Sequence, residues 1–177
     1  MLRLSGDTIY LRALEPEDLD FLYKLENDTD IWEVSETQTP YSKFVLKQYL
    51  ENAQLDIYEA KQLRLVICNK DKLVMGFVDL YEFDPKNRKA GLGVVILNNQ
   101  RRKGIAEEAL EILINYCFEI LHLHQVYAGV VAGNEASLAL FKKLHFIQTG
   151  IRKDWIFTSE GYKDEVIFQK LNFKNVF

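Results

Sequence analysis

An apolar stripe with helical spacing runs through the second half of the chain. Its members recur every three or four residues, a spacing that buries one face of an α-helix against a core. The stripe consists of Ala106, Ala109, Leu110, Leu113, Cys117, Ile120 and Leu121. We therefore predict a long helix that begins near Arg101. Strand-like segments precede and follow it, and a strand-helix-strand passage within one sheet requires two parallel strands.

The rest of the chain alternates between strand-like and helix-like segments. Turn signals at 69–71 and 84–87 join three of the strands into an antiparallel meander. The pattern predicts strands at 8–12, 63–68, 73–83, 90–97, 125–130, 146–157 and 166–171, and helices after Pro16, at 41–52, from Arg101 and at 134–144. This order favours an α/β fold in which helices cover the faces of a mixed sheet.

Size and composition indicate one domain in a reducing compartment. The 177 residues, 48% of them hydrophobic, suit one substantial core, so we predict a single domain over residues 1–177. A net charge of −4 argues against nucleic acid as a partner. Cys68 and Cys117 lack a CxxC pairing and favour buried thiols over a disulfide. No signal-like N-terminus or bilayer-length apolar run occurs, so we expect a cytoplasmic protein without a membrane partner.

Basic residues crowd the predicted start of the long helix, in the segment 101–106. A helix start presents unpaired N–H groups and about half a positive charge, which suits a pyrophosphate, and Gly104 leaves that approach open. An ordinary helix with a basic first turn would explain the same residues. Cations there oppose the helix dipole, however, so the cluster indicates an anionic ligand. A nucleotide-binding regulator is a weaker alternative, because neither GxxxxGK[ST] nor a complete GxGxxG occurs.

Two motifs resemble those of the GNAT acetyltransferase family. Arg101-x-x-Gly104-x-Ala106 resembles the family signature Arg/Gln-x-x-Gly-x-Gly/Ala, and residues 134–146 resemble its Asn-x-x-Ala/Ser-x-x-x-Tyr/Phe-x-Lys-x-Gly-Phe segment. The resemblance implies a six- to seven-stranded, mostly antiparallel sheet with a splayed central parallel pair and about four helices. Over residues 9–171 the layout is most similar to bacterial spermidine N-acetyltransferases and ribosomal-protein N-terminal acetyltransferases.

The resemblance also implies a cofactor and the residues that hold it. Acetyl-CoA would donate its acetyl group directly to a primary amine, either of a polyamine-like small molecule or of a peptide N-terminus, and CoA would be released. The implied cofactor-binding residues are Val95, Ile96, Leu97, Arg101, Arg102, Lys103, Gly104, Ile105, Ala106, Asn134, Ser137, Phe141 and Lys143. Asn134 also has the position of a helix N-cap, and one side chain can serve both roles.

Two positions depart from the family pattern. Phe141 stands where many relatives carry a tyrosine that protonates the leaving thiolate, and His145 replaces the glycine of the Gly-Phe pair. We interpret His145 as a turn or packing residue. A positioned general acid contributes about 10²–10⁴ in rate, so transfer by proximity survives its loss. A non-catalytic acyl-CoA-binding or interaction module on the same fold is the alternative interpretation.

The candidate general bases lie on the predicted strand at 73–83. Deprotonating a lysine-like amine at pH 7 costs roughly 4–5 kcal/mol, which a carboxylate at the cleft would offset. We predict Glu82, acting through water, as the base and Asp79 as the second candidate; a solvated strand end is the alternative for both. Alternation places Asp79 with Tyr81 on one face and Glu82 with Leu80 on the other, so only one acid should point into the cleft.

An acidic segment, 28–36, separates the first two predicted helices. Relatives form the acceptor wall there, and Glu33 and Glu36 beside Trp32 would suit a cationic amine. Tyr41, at the next helix start, could line the same wall. A charged solvent loop explains these residues equally well.

Two further expectations concern metals and assembly. We expect no metal site, because His122 and His124 have no acid and cysteine ligand set nearby. Dimerisation is common among relatives and implies a homodimer, although no exposed apolar stripe in the sequence indicates one.

Overall fold

The structure, a computed structural model, describes residues 4–35, 37–53 and 55–173. Strands and helices occur in the predicted order, with two additional short helices. The strands are β1 (Ile9–Ala13), β2 (Leu63–Asn69), β3 (Val74–Asp84), β4 (Lys89–Ile96), β5 (Gln125–Val131), β6 (Ile147–Thr158) and β7 (Gly161–Leu171). The helices are α1 (Leu19–Glu26), α2 (Thr29–Ser35), α3 (Lys43–Asn52), α4 (Ile57–Ala60), α5 (Ile105–Glu119) and α6 (Glu135–Lys143).

The strands form one seven-stranded sheet in the order β1-β2-β3-β4-β5-β7-β6. Every neighbouring pair is antiparallel except β4 and β5, which are parallel because α5 carries the chain between them. The predicted mixed sheet with one central parallel pair is therefore confirmed.

The parallel pair separates after three registered positions. Lys89 pairs with Gln125, Ala90 with Val126 and Gly91 with Tyr127. Beyond them β4 stays paired only with β3, and β5 only with β7. A wedge-shaped gap thus opens in the middle of the sheet, as the family resemblance implied.

Helix α5 has the predicted buried face but is shorter than the periodicity indicates. Its inner face comprises Ala109, Leu110, Leu113 and Cys117, all buried. It begins at Ile105, because Gly104 takes a left-handed φ of 78° that interrupts the helix before it. The prediction for Ile120 is wrong: this side chain is 47% exposed, since the chain turns at His122 (φ 52°) and Leu123 enters the core instead.

The acidic segment between the first helices folds as helix α2, so its interpretation as a loop is wrong. The Asp28 carboxylate accepts a hydrogen bond from the Asp30 N–H at 3.0 Å, an N-terminal cap. Trp32 Nε1 donates to the Glu26 carbonyl at 2.8 Å, and Ile31 is buried. Helix α4 begins in the same way, with the Asp56 carboxylate accepting from the Tyr58 N–H at 2.7 Å.

Separate apolar cores lie on the two faces of the sheet. The larger one joins α5 and α6 to inward residues of β1 to β5 and β7. The smaller one packs α1 and α3 on Phe77 of β3, with Val95 and Leu97 at its border. Along β4, therefore, Leu92 and Ile96 face the first core, whereas Gly91, Gly93 and Val95 face the side where α1 and α3 lie. Within the described ranges, no helix has the length and apolarity needed to cross a bilayer.

Candidate active site

The start of α5 presents open main-chain donors beside the gap. Among the described residues, none accepts a hydrogen bond from the N–H groups of Gly104 to Glu107. A Cβ placed on Gly104 would have no atom within 4 Å, so the corner is open to solvent. Unpaired N–H groups at a helix start, with space before them, fit a diphosphate.

Basic side chains surround this corner as the sequence predicted. Arg101 Nε donates to the Ile96 carbonyl at 3.1 Å, which ties the turn to the end of β4, and Arg102 and Lys103 are exposed. Lys143, from the second motif, forms an ion pair with Glu107 of α5 at 2.6 Å. The fold thus brings the two motifs together at one helix start.

The strand before this turn borders the gap. Val95 and Ile96 lie beyond Gly91, the last residue of β4 that pairs with β5, and Leu97 follows the strand. Val95 and Leu97 pack toward the α1 and α3 side, whereas Ile96 is buried under α5. Their main chain can therefore accompany an extended ligand along the gap while their side chains remain in the two cores.

The second motif forms helix α6 with the predicted cap. Asn134 Oδ1 accepts a hydrogen bond from the Ser137 N–H at 3.2 Å, which confirms the N-cap interpretation. Phe141 is buried, edge-on to Phe146 at 5.1 Å and stacked on Phe168 at 5.9 Å. His145 lies in the turn after the helix with a left-handed φ of 61°, the conformation that favours glycine.

Glu82 lies on a different face of the sheet from the one that alternation predicts. Its φ of 49° and a register shift between Tyr81 and Asp84 form a bulge in β3. Leu80 is buried in the larger core, but the Glu82 carboxylate turns to the opposite face and accepts a hydrogen bond from the Tyr127 hydroxyl. The prediction that Asp79 and Glu82 lie on opposite faces of the sheet is therefore wrong.

Two tyrosines that the sequence analysis did not select lie where the parallel strands separate. The rings of Tyr81 and Tyr127 meet edge to face at 6.1 Å. Burial, followed by the charges of Glu82, Glu165 and Asp79, raises the pKa of Tyr81 to about 12. Burial also raises the pKa of Tyr127, and its hydrogen bond to Glu82 raises it further. The sequence feature that could have indicated Tyr127 is the alternation in β5, where this residue stands between the buried Val126 and Ala128.

Asp79 belongs to an ion-pair network rather than standing free. Arg64 of β2 binds its carboxylate through Nε at 2.6 Å and Nη2 at 3.0 Å, and also pairs with Glu26 at the end of α1. The guanidinium lies 3.8 Å from the centre of the Phe77 ring. Both oxygens of the Asp79 carboxylate are occupied by the guanidinium, whereas Glu82 is exposed to water, which favours Glu82 over Asp79 as the base.

The predicted acceptor residues are only partly described. Glu36 and the side chain of Glu33 lie outside the described residues. Tyr41 precedes α3 rather than starting it, because Ser42 is the cap, and its main chain is held by Asn27 at 2.8 and 3.0 Å. The Tyr41 side chain is exposed.

The chain matches a known family over most of its length. The model of the acetyltransferase (GNAT) domain matches residues 8–147. The chain belongs to the GNAT acetyltransferase family. A GNAT enzyme of this kind transfers an acetyl group from acetyl-CoA to an amine, and the non-catalytic alternative is not favoured.

Several relatives of this GNAT acetyltransferase are spermidine enzymes. A curated relative, spermidine N(1)-acetyltransferase of Vibrio cholerae, is 29% identical over 154 residues, which cover 87% of each chain. The Vibrio cholerae spermidine N-acetyltransferase solved with CoA and spermine has a TM-score of 0.86 at 26% identity and covers 94% of this chain and 96% of that one. A dodecameric form of the Vibrio cholerae enzyme has a TM-score of 0.81 at 27% identity, covering 97% and 98%.

Proposed function

We propose that the amine acceptor is a polyamine. The observation that carries this proposal is the charge of the face where β4 and β5 separate. Four carboxylates and two guanidiniums make contacts on this face. Arg64 pairs with Glu26 and Asp79, Arg152 pairs with Glu165, and Glu82 accepts a hydrogen bond from Tyr127. The carboxylates outnumber the guanidiniums by two, and the charges of Glu82, Glu165 and Asp79 all act on the Tyr81 hydroxyl. An acceptor with several ammonium groups would offset this excess.

Acetyl-CoA would occupy the gap and the open corner of α5. Bound acetyl-CoA supplies the acetyl group as an activated thioester. The N–H groups at 104–107 would donate to its diphosphate, and Arg101, Arg102, Lys103 and Lys143 would add positive charge. The pantetheine arm of the cofactor would reach the gap along the main chain of 95–97 and the start of α6, near Asn134 and Ser137. Phe141 would contribute only packing beneath it.

Glu82 is proposed as the general base. Its carboxylate is exposed and lies on the same face as the other acids, so water can carry a proton to it from an ammonium group. Acceptance of that proton offsets part of the roughly 4–5 kcal/mol needed to neutralise a lysine-like amine at pH 7. Our proposed acceptor wall remains the acidic segment that contains Glu33 and Glu36, together with Tyr41.

A panel of amines tests the acceptor. Thiol release from acetyl-CoA should be fastest with spermidine and spermine, and slower with lysine, an aminoglycoside, a peptide N-terminus and a simple alkyl monoamine. Each additional ammonium about 4 Å from a carboxylate contributes about 1 kcal/mol in water, so kcat/KM should rise by about fivefold for each one, or by roughly 30-fold for spermidine over the monoamine. The preference should shrink with added salt, because salt screens exposed charges. Preferential transfer to the peptide N-terminus would contradict the proposal.

We also infer that several copies of the chain associate through the β6 edge of the sheet. β6 is an edge strand, and the β6–β7 hairpin exposes large apolar side chains that the sequence pattern did not reveal. Trp155 is 56% exposed, Phe157 74% and Tyr162 66%. An exposed apolar edge favours pairing with another chain, and a solved relative is dodecameric.

Light scattering tests this assembly. The mass in solution should exceed that of one chain, and Phe157→Asp should shift it toward the single chain because a buried charge is costly at an apolar contact. Leu73→Asp, at the exposed turn between β2 and β3, is the matched control and should leave the mass unchanged. A wild-type protein with the mass of one chain would refute the inference.

A further inference from the structure

We propose that Tyr127 protonates the leaving sulfur, replacing the hydroxyl that position 141 lacks. The proposal rests on the role assigned above to Glu82 and adds a second residue to it. Together, Glu82 and Tyr127 would form a relay that carries one proton from the acceptor nitrogen to the sulfur.

Tyr127 lies where the two strands that border the gap separate. It is the last β5 residue that pairs with β4, opposite Gly91. Its hydroxyl donates to Glu82, and its ring is held edge-on by Tyr81. Gly91 permits this arrangement, because a Cβ there would overlap the Tyr81 ring. Tyr127 is therefore positioned where the separation of the strands begins.

Position 141 cannot supply the proton. Phe141 has no ionisable group, and its ring lies between Phe146 and Phe168 in the larger core. Tyr127 faces the opposite side of the sheet, because its strand neighbours Val126 and Ala128 point into that core. Tyr127 would thus donate its proton from the face of the sheet on which the amine is proposed to bind.

The proton balance follows from the contact between the two side chains. Glu82 takes a proton from the acceptor ammonium, and the nitrogen lone pair then forms a bond to the acetyl carbon. The carbon–sulfur bond breaks, and its electron pair stays on sulfur, which takes the proton of the Tyr127 hydroxyl. Tyr127 recovers a proton from Glu82, and the nitrogen releases its remaining surplus proton to water. Both side chains return to their starting states.

The same contact makes Tyr127 a better acid at the moment it is needed. Burial, the hydrogen bond to Glu82 and the negative charge of Glu82 raise the pKa of Tyr127. When Glu82 accepts a proton its negative charge disappears, and the hydrogen bond that remains joins two neutral groups. Loss of the charge on Glu82 therefore lowers the pKa of Tyr127 just before the sulfur leaves.

Kinetics of Tyr127→Phe, Glu82→Gln and the double variant test the relay. Tyr127→Phe should lower kcat by about 10²–10⁴-fold, the range for a positioned general acid, with the Kd for CoA unchanged by calorimetry. The double variant should be as slow as the slower single variant, because the two groups act as a unit. Tyr58→Phe, in the short helix α4 with its side chain 55% exposed, is the matched control and should retain the wild-type kcat. A wild-type kcat in Tyr127→Phe, or multiplicative effects in the double variant, would overturn the relay.

A titration of tyrosine absorbance provides a readout without turnover. Subtracting the curve of Tyr127→Phe isolates the ionisation of Tyr127, which Glu82→Gln should shift to lower pH because a negative neighbour is removed. An unchanged ionisation would overturn the relay whatever the acceptor. If peptides rather than polyamines are acetylated, the polyamine proposal fails, and the relay is still decided by the same variants with the peptide as acceptor.

Discussion

Gly104→Ala is expected to raise the Kd for CoA by roughly ten- to a hundredfold. Gly104 has a φ of 78° directly before α5, and no atom lies within 4 Å of where its Cβ would be. A methyl group there would enter the open space beside the helix start, which the diphosphate is proposed to occupy. The loss of one hydrogen bond to a charged group costs about 1.5–3 kcal/mol, which accounts for the expected change. Isothermal calorimetry with CoA measures it.

Gly161→Ala is the matched control for this variant. Gly161 also has a positive φ, 108°, with no atom near its Cβ position, but it lies in the β6–β7 turn. Both variants place a side chain in a conformation that costs about 1–2 kcal/mol, so both should unfold at lower urea concentration. Only Gly104→Ala should weaken CoA binding. Equal CoA affinity in the two variants would show that the corner before α5 does not hold the diphosphate.

Arg64→Met is expected to destabilise the fold by about 3 kcal/mol. Arg64 connects Glu26 of α1 to Asp79 of β3 and lies over Phe77 in the smaller core. Without Arg64, the carboxylates of Glu26 and Asp79 lose their positive partner and repel each other. Breaking a buried ion pair typically costs about 3–5 kcal/mol. The low end applies because these side chains are still 17–25% exposed. Urea unfolding measures the difference.

Two further variants separate charge from packing at Arg64. Lys153→Met breaks an ion pair with Asp164 in which the lysine side chain is 77% exposed, and should leave the midpoint of urea unfolding nearly unchanged, because solvent screens an exposed pair. Adding Asp79→Asn to Arg64→Met should recover part of the lost stability, since one unpaired charge is removed. No recovery would indicate that Arg64 stabilises the protein through its contact with Phe77 alone.

The cofactor side of the site could be predicted from local sequence because its signals are local. A helix start, a glycine before it and an N-cap are each set by neighbouring residues, and the periodicity of α5 extends over four turns. The short helices α2 and α4 were missed because each has too few residues for a period to emerge. Their starts depend on single caps, from Asp28 and Asp56, which resemble ordinary turn residues.

The acceptor side could not be predicted in the same way. Which face Glu82 occupies depends on one extra residue in the β3–β4 pairing, and a bulge of this kind reverses strand alternation from that point. The contacts of Tyr127 with Glu82 and of Arg64 with Glu26 join residues 45 and 38 positions apart. Nothing in the local pattern distinguishes these side chains from other polar residues on half-buried strands.

The sequence by itself determined the order of strands and helices, the parallel crossover and the basic, glycine-containing helix start, because hydrophobic period and capping act between near neighbours. Only the tertiary structure decided that β4 and β5 separate after Gly91 and Tyr127, that Glu82 turns toward Tyr127, and that Phe141 is enclosed in the core. These features depend on strand register and on packing between distant segments, which are set when the whole sheet assembles.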